Sequence, residues 1–200
     1  MTIIKICGLM RTEDAEVLNA VRPDFAGMIL SPGFRRSVSP EQAAAIRQAL
    51  DPAIPMVGVF VNTPYQHITE CAEAGLMQYI QLHGGEDAFY LRGLRLSCKL
   101  PVIQAFRIRS ADDLEPAAHS EADLILLDSG TGTGKAFDHT LLGGFPRPYI
   151  LAGGLSPENV SDVIRTYRPY GVDVSSGVET DGMKDAEKIR EFVNKIRNEK

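Results

Sequence analysis

Eight short apolar runs, each followed by a turn and an amphipathic stretch, recur along the 200 residues, and this alternation constrains the fold more than any other feature. The runs predict strands at Ile3–Cys7, Phe25–Leu30, Met56–Val61, Tyr79–Leu82, Val102–Phe106, Leu124–Leu127, Tyr149–Ala152 and Val172–Val174. Between and after them the pattern predicts helices at Thr12–Ala20, Pro40–Leu50, Pro64–Ala74, Asp87–Leu96, Ala111–His119, a short one near Asp138–Leu142, Pro157–Tyr167 and Lys184–Asn198. Ser39-Pro40-Glu41-Gln42 and Ser156-Pro157-Glu158-Asn159 each put a capping serine before a first-turn proline. Strands that alternate with helices pair in parallel through right-handed crossovers, and eight such units close a (β/α)8 TIM barrel of the α/β class. An open doubly wound sheet fits less well, because the spacing is near constant and no G-x-G-x-x-G follows the first strand. No linker or shift in composition divides the chain, so residues 1–200 are expected to form one compact domain, short for a barrel of about 250 residues.

Apolar residues make up 44% and charged residues 24%, ordinary for a soluble globular chain. A net charge of −5 with no basic stripe argues against nucleic acid as the main partner. No apolar run approaches the roughly 18 residues of a membrane span, and the first residues lack the look of a signal peptide, so no membrane association and a cytoplasmic location are expected. Cys7, Cys71 and Cys98 form no C-x-x-C pair, which suggests neither a disulfide framework nor a zinc site. Monomer and homodimer are both compatible with the sequence.

In a parallel barrel, function sits at the C-terminal strand ends. Leu151-Ala152-Gly153-Gly154-Leu155 and Val172-Asp173-Val174-Ser175-Ser176-Gly177-Val178 both end apolar runs in small residues. Gly153, Gly154, Ser176 and Gly177 thereby leave backbone N–H groups open to a phosphate, the expected ligand being a small sugar phosphate. Two ordinary glycine turns are the bland alternative.

Strand parity places Lys5 and Cys7 together on the barrel interior. A cation below a cysteine lowers the thiol pKa and makes Cys7 a candidate base; otherwise it packs as a small hydrophobe. Asp128 tops the column Leu124–Leu126, where desolvation would raise its pKa and suit it to act as an acid. A capping role or an arginine partner would lower it instead. The glycine-rich segment from Gly130 to Asp138 departs from a phosphate-binding P-loop at Ser129 and Ala136 and fits a loop that closes over the mouth. His83 shares a face with Gln81 and is placed to hydrogen-bond a polar substrate group, or is structural. Arg35 and Arg36 are either solvated or poised to fork onto a carboxylate. Asp173 accepts from sugar hydroxyls or is a buried, bonded aspartate.

Six stretches together resemble the phosphoribosylanthranilate isomerase family: Lys5–Leu9, Val57–Asn62, Gln81–Gly84, Leu127-Asp128 with Gly132–Asp138, Leu151–Leu155, and Val172–Glu179. The resemblance spans the chain from end to end. It implies an Amadori rearrangement in tryptophan biosynthesis, with no metal and no organic cofactor. It implies Cys7 as general base and Asp128 as general acid, and assigns the arginine directed at the anthranilate carboxylate to Arg36, with Arg35 a rival by one position. Two features depart from the family pattern. The segment between Asp128 and the glycine-rich loop is short, and His139 stands where a tryptophan is usual. A decarboxylating synthase of the same barrel type would need a lysine acid at the mouth, whereas Lys5 lies a layer below Cys7. A non-catalytic sugar-phosphate module would have no use for Cys7 facing Asp128.

Overall fold

The computed structural model describes residues 2–130, 142 and 144–199. Eight parallel strands close a barrel in sequence order, with β8 returning to β1. They are β1 (Ile3–Cys7), β2 (Phe25–Ile29), β3 (Met56–Phe60), β4 (Tyr79–Leu82), β5 (Val102–Arg107), β6 (Leu124–Asp128), β7 (Tyr149–Ala152) and β8 (Gly171–Val174). Around them lie α1 (Thr12–Val21), α2 (Pro40–Ala49), α3 (Tyr65–Glu73), α4 (Ala88–Ser97), α5 (Leu114–His119), α6 (Val160–Tyr167) and α7 (Ala186–Asn198). The (β/α)8 barrel expected from the alternation is therefore present. β1, β4 and β7 have the predicted bounds, and the other strands differ by one residue at one end.

Strand parity sorts the side chains into two apolar cores. Outward residues such as Ile4, Ile6, Met28, Ile80, Leu82 and Leu127 pack beneath the helices. The amphipathic face of α7 presents Ile189, Phe192, Val193 and Ile196 to this layer. Inward residues Phe25, Val57, Ile103, Leu126 and Ile150 fill the barrel axis, with Phe25 edge-on to Tyr79 at 4.9 Å. Above them the inward positions turn polar.

Three departures from the predicted elements have local causes. The box at Ser39 forms, with Gln42 N donating to Ser39 Oγ and Ser39 N to Gln42 Oε1. At Ser156 only half of it forms: Ser156 N donates to Asn159 Oδ1, but the Asn159 backbone amide donates to the Ser156 carbonyl rather than to its hydroxyl, and α6 starts only at Val160. The fifth helix opens as a 3₁₀ turn at Ala111–Asp113, where Asp113 Oδ2 accepts from Arg109 N and Ser110 N. Lys184 belongs to an antiparallel hairpin, β9 (Glu179–Thr180) with β10 (Met183–Lys184), and α7 begins after it. Asp181 and Gly182, both at positive φ, form its turn. The predicted short helix near Asp138–Leu142 and the loop from Thr131 to Asp138 lie outside the described residues, apart from Leu142. Among the described residues no helix is long and apolar enough to cross a membrane.

One charged pair crosses the seam where β8 meets β1. Lys5 is fully buried, and its Nζ lies 2.9 Å from Asp173 Oδ2. Removing one partner of such a pair leaves an uncompensated charge in a dry interior. Lys5→Met is therefore expected to lower the unfolding free energy by about 3–5 kcal/mol in chemical denaturation.

Candidate functional site

The candidate anion cradle is built from two chain segments that approach too closely for side chains. Gly153 and Gly154 leave β7 at φ +95° and +64°, a left-handed backbone that glycine adopts without strain. After β8 the chain makes a 3₁₀ turn at Ser176–Val178, and a Cβ on Gly177 would collide with the Leu155 carbonyl. None of the amides of Gly153, Gly154, Ser176 and Gly177 donates to a partner among the described residues. Asn159 fixes the first segment by donating to the Gly154 carbonyl at 2.8 Å while accepting from Ser156 N at 2.9 Å.

These residues line a cleft of about 340 Å³ together with Cys7, Arg36, His83, Asp128 and Asp173. All the site residues expected from the sequence thus meet in one place. An adjoining apolar recess of about 450 Å³ is lined by Ile29, Phe34, Val59, Val61 and Ala105, and shares His83, Arg107 and Asp128 with the cleft.

Cys7 has room for its sulfur because β2 carries Gly27 beside it. A Cβ there would lie 2.9 Å from Cys7 Sγ and 3.2 Å from Lys5 Nζ. Burial pushes the Cys7 thiol above its ordinary value; Lys5 pulls it down, but Asp173 opposes that pull. The expected net lowering is thus overturned, because burial outweighs the pull of Lys5 and Asp173 offsets part of that pull. Burial would draw Lys5 down, yet the charges of Asp173 and Cys7 hold its ammonium above the usual range. Asp173 Oδ1 is buried with no hydrogen-bond partner among the described residues.

Asp128 also departs from expectation. Burial alone would raise its carboxyl, but His83, the Gly130 N–H and the Arg107 charge together hold it below the ordinary range. His83 Nε2 lies 3.2 Å from Asp128 Oδ2, and Gly130 N donates to Oδ1 at 2.9 Å. Gln81 Nε2 lies 2.8 Å from His83 Nδ1, so the two ring nitrogens meet Gln81 on one side and Asp128 on the other. His83 therefore touches the candidate acid directly, a contact that inspection of β4 alone does not disclose.

Arg36 and Arg35 part company in the fold. Arg36 lines the cleft, whereas Arg35 is turned onto the β9–β10 hairpin, with Nη1 donating to the Gly182 carbonyl at 3.1 Å. Both contact Glu179, a residue not singled out from the sequence as part of the site. Gly27, Asn159 and Arg107 were likewise missed; of these, Gly27 alone carried a readable signal, as an inward glycine in a strand.

The profile of the N-(5'phosphoribosyl)anthranilate (PRA) isomerase family matches residues 4–195. The chain belongs to this family. It is 41% identical over 203 residues to the N-(5'-phosphoribosyl)anthranilate isomerase of Endomicrobium trichonymphae, covering 99% of this chain and 100% of the relative. The corresponding isomerase of Lacticaseibacillus casei strain BL23 is 43% identical, over 100% of this chain and 96% of its own. Among solved structures, the phosphoribosyl anthranilate isomerase of Thermus thermophilus superposes with a TM-score of 0.86 at 37% identity, covering 98% of each chain. A phosphoribosyl anthranilate isomerase in complex with reduced 1-(o-carboxyphenylamino)-1-deoxyribulose 5-phosphate superposes at 0.88 and 35% identity, covering 98% of this chain and 99% of the other.

The isomerase fold leaves Cys7 lining the cleft but with its proton held. Alkylation of Cys7 by iodoacetamide, followed by peptide mapping, is expected to be slow at pH 7. It should rise about tenfold per pH unit and go on rising beyond the ordinary thiol range of about 8.5–9, because only the thiolate reacts and burial holds the proton. A fast, pH-independent rate near neutrality would show a lowered thiol instead.

Proposed function

We propose that this protein is an N-(5'-phosphoribosyl)anthranilate isomerase of tryptophan biosynthesis, converting its substrate to 1-(2-carboxyphenylamino)-1-deoxyribulose 5-phosphate by acid and base catalysis. One observation carries the reading. A thiol and a carboxylate line one cleft between an anion cradle and an apolar recess, the order in which this substrate presents ribose between phosphate and aromatic ring.

In this reading the phosphate sits on the amides of Gly153, Gly154, Ser176 and Gly177, and the ring enters the recess beside Ile29 and Val59. Asp173 Oδ1, buried without a partner, accepts from a ribose hydroxyl. Asp128 gives a proton to the furanose oxygen. The C1′–O bond then breaks as the aniline nitrogen lone pair forms the iminium. Cys7 thiolate takes the C2′ proton, and the C–H electron pair forms the enolamine, which tautomerises to the ketone. Holding the sugar at both ends supplies the positional part of the rate.

The directions of the two perturbed groups add a condition. In the free protein Asp128 favours the carboxylate and Cys7 favours the thiol, so the reactive state, with thiolate and protonated acid, is the minority form of both groups. An incoming dianionic phosphate and the closing off of water both raise a carboxylate's proton affinity, which favours the protonated form of Asp128 when substrate binds. Arg36 is assigned to the substrate carboxylate. The decarboxylating alternative is disfavoured because Lys5 is fully buried and ion-paired, out of reach of substrate.

Cys7→Ala and Asp128→Asn are each expected to reduce kcat by about 10²–10⁴-fold in an assay that follows the fluorescence decay of phosphoribosylanthranilate. Binding of the reduced product analogue should persist in both variants. Product of unchanged mass identifies the isomerisation, loss of carbon dioxide and water identifies a synthase, and binding without turnover identifies a module.

A further inference from the structure

The side chain of Glu179 is only 5% exposed although it stands among three cations at the rim. Its Oε1 accepts from Arg36 Nε at 2.6 Å and from Lys184 Nζ at 2.9 Å. Its Oε2 accepts from Arg36 Nη2 at 3.0 Å and from Arg35 Nη2 at 2.6 Å. These donors hold the Glu179 carboxyl down at about 2, so it is ionised throughout the neutral range. One negative charge against three positive ones leaves the rim with an excess of two positive charges.

The geometry at Arg36 is directional. Glu179 engages the Nε–Nη2 edge of the guanidinium and leaves Nη1 with no protein partner among the described residues. The shaft of Arg36 is laid over Gly8, where a Cβ would fall 2.7 Å from Arg36 Cδ. Gly8 directly follows Cys7 and sits at φ +80°. A guanidinium presents two forked edges to carboxylates, and fixing one of them orients the other.

We infer that Glu179 is the positioning residue that aims Arg36 at the substrate carboxylate, and so sets the preference for a carboxylate-bearing aromatic amine over its uncharged counterpart; this rests on the isomerase reading above. The site selects its substrate through an acidic residue that never touches it. Left unpaired, Arg36 would adopt many rotamers on an open rim, and the substrate carboxylate would have to order it on binding.

Glu179→Gln keeps the shape and an oxygen for Lys184, while presenting an amide NH₂ where Arg36 needs an acceptor. Lys184 retains its bond to the Ser175 carbonyl at 2.9 Å, which supports the phosphate turn. Calorimetry would compare the reduced product analogue with its phenyl counterpart lacking the carboxylate, in wild type, Glu179→Gln, Arg36→Met and the double variant. Glu179→Gln should weaken the carboxylate-bearing analogue about tenfold, leave the phenyl analogue within about twofold, and add nothing in the Arg36→Met background. In turnover it should raise KM about tenfold more than it changes kcat. Equal weakening of both analogues, or additive losses in the double variant, would overturn the inference. Unaltered phenyl-analogue binding shows that the variant is folded; if Glu179→Gln does not fold, the same comparison is made with Glu179→Asp, whose shorter carboxylate should weaken the carboxylate-bearing analogue selectively. A wild type that binds both analogues but turns over no phosphoribosylanthranilate would remove the isomerase reading itself, whereas a wild type that turns it over, with undiminished discrimination in Glu179→Gln, would remove this inference alone.

Discussion

The two-residue pleat of a closed parallel sheet governs the chemistry of this protein. Once Cys7 faces the axis at the end of β1, Lys5 must face it one layer lower, and a lysine there has no route to water. Asp173 on β8 is the compensating charge, brought into place by the register that pairs its backbone with that of Lys5 across the barrel seam. The pair then supplies a polar floor to the reactive cleft. It does not leave the thiol activated, because burial in the closed barrel outweighs the pull of Lys5, part of which Asp173 cancels.

The same economy appears on the opposite side of the cleft. Asp128 lies above an apolar column, an environment that favours the protonated acid, but its oxygens are met by the His83 ring and the Gly130 amide. Hydrogen bonds to a charged oxygen outweigh partial burial. Cys7 therefore rests toward the thiol and Asp128 toward the carboxylate, the reverse of the distribution that the proposed acid and base steps require.

How much of this was legible in the sequence depends on how local each determinant is. Parity within one strand sufficed to put Cys7, Asp128, His83 and Asp173 at the mouth, and paired glycines marked the anion cradle. Cys7 was misjudged because parity shows which way a residue faces but not how completely the closed barrel excludes water from it, and Asp128 because its partner His83 comes from another strand, β4. The β9–β10 hairpin was hidden for a different reason. Its strands are two residues each, too short for an alternation to register, although the Asp181-Gly182 turn stood in the sequence. Glu179 was missed with it, since the meaning of that carboxylate lies in arginines more than 140 positions earlier in the chain.

The Lys5–Asp173 contact joins residues 168 positions apart. During synthesis from the ribosome, β1 emerges with a lysine that has no counter-ion until almost the whole polypeptide has followed. A closed barrel built from nascent chain therefore cannot be completed in stages around this pair; long-range closure is a late event, and contacts so distant in sequence slow folding. The cradle at Ser176 and Gly177 is released at the same moment. The enzyme consequently has no active fragment on its way out, and first acquires a place for its substrate when the last barrel strand docks beside the first.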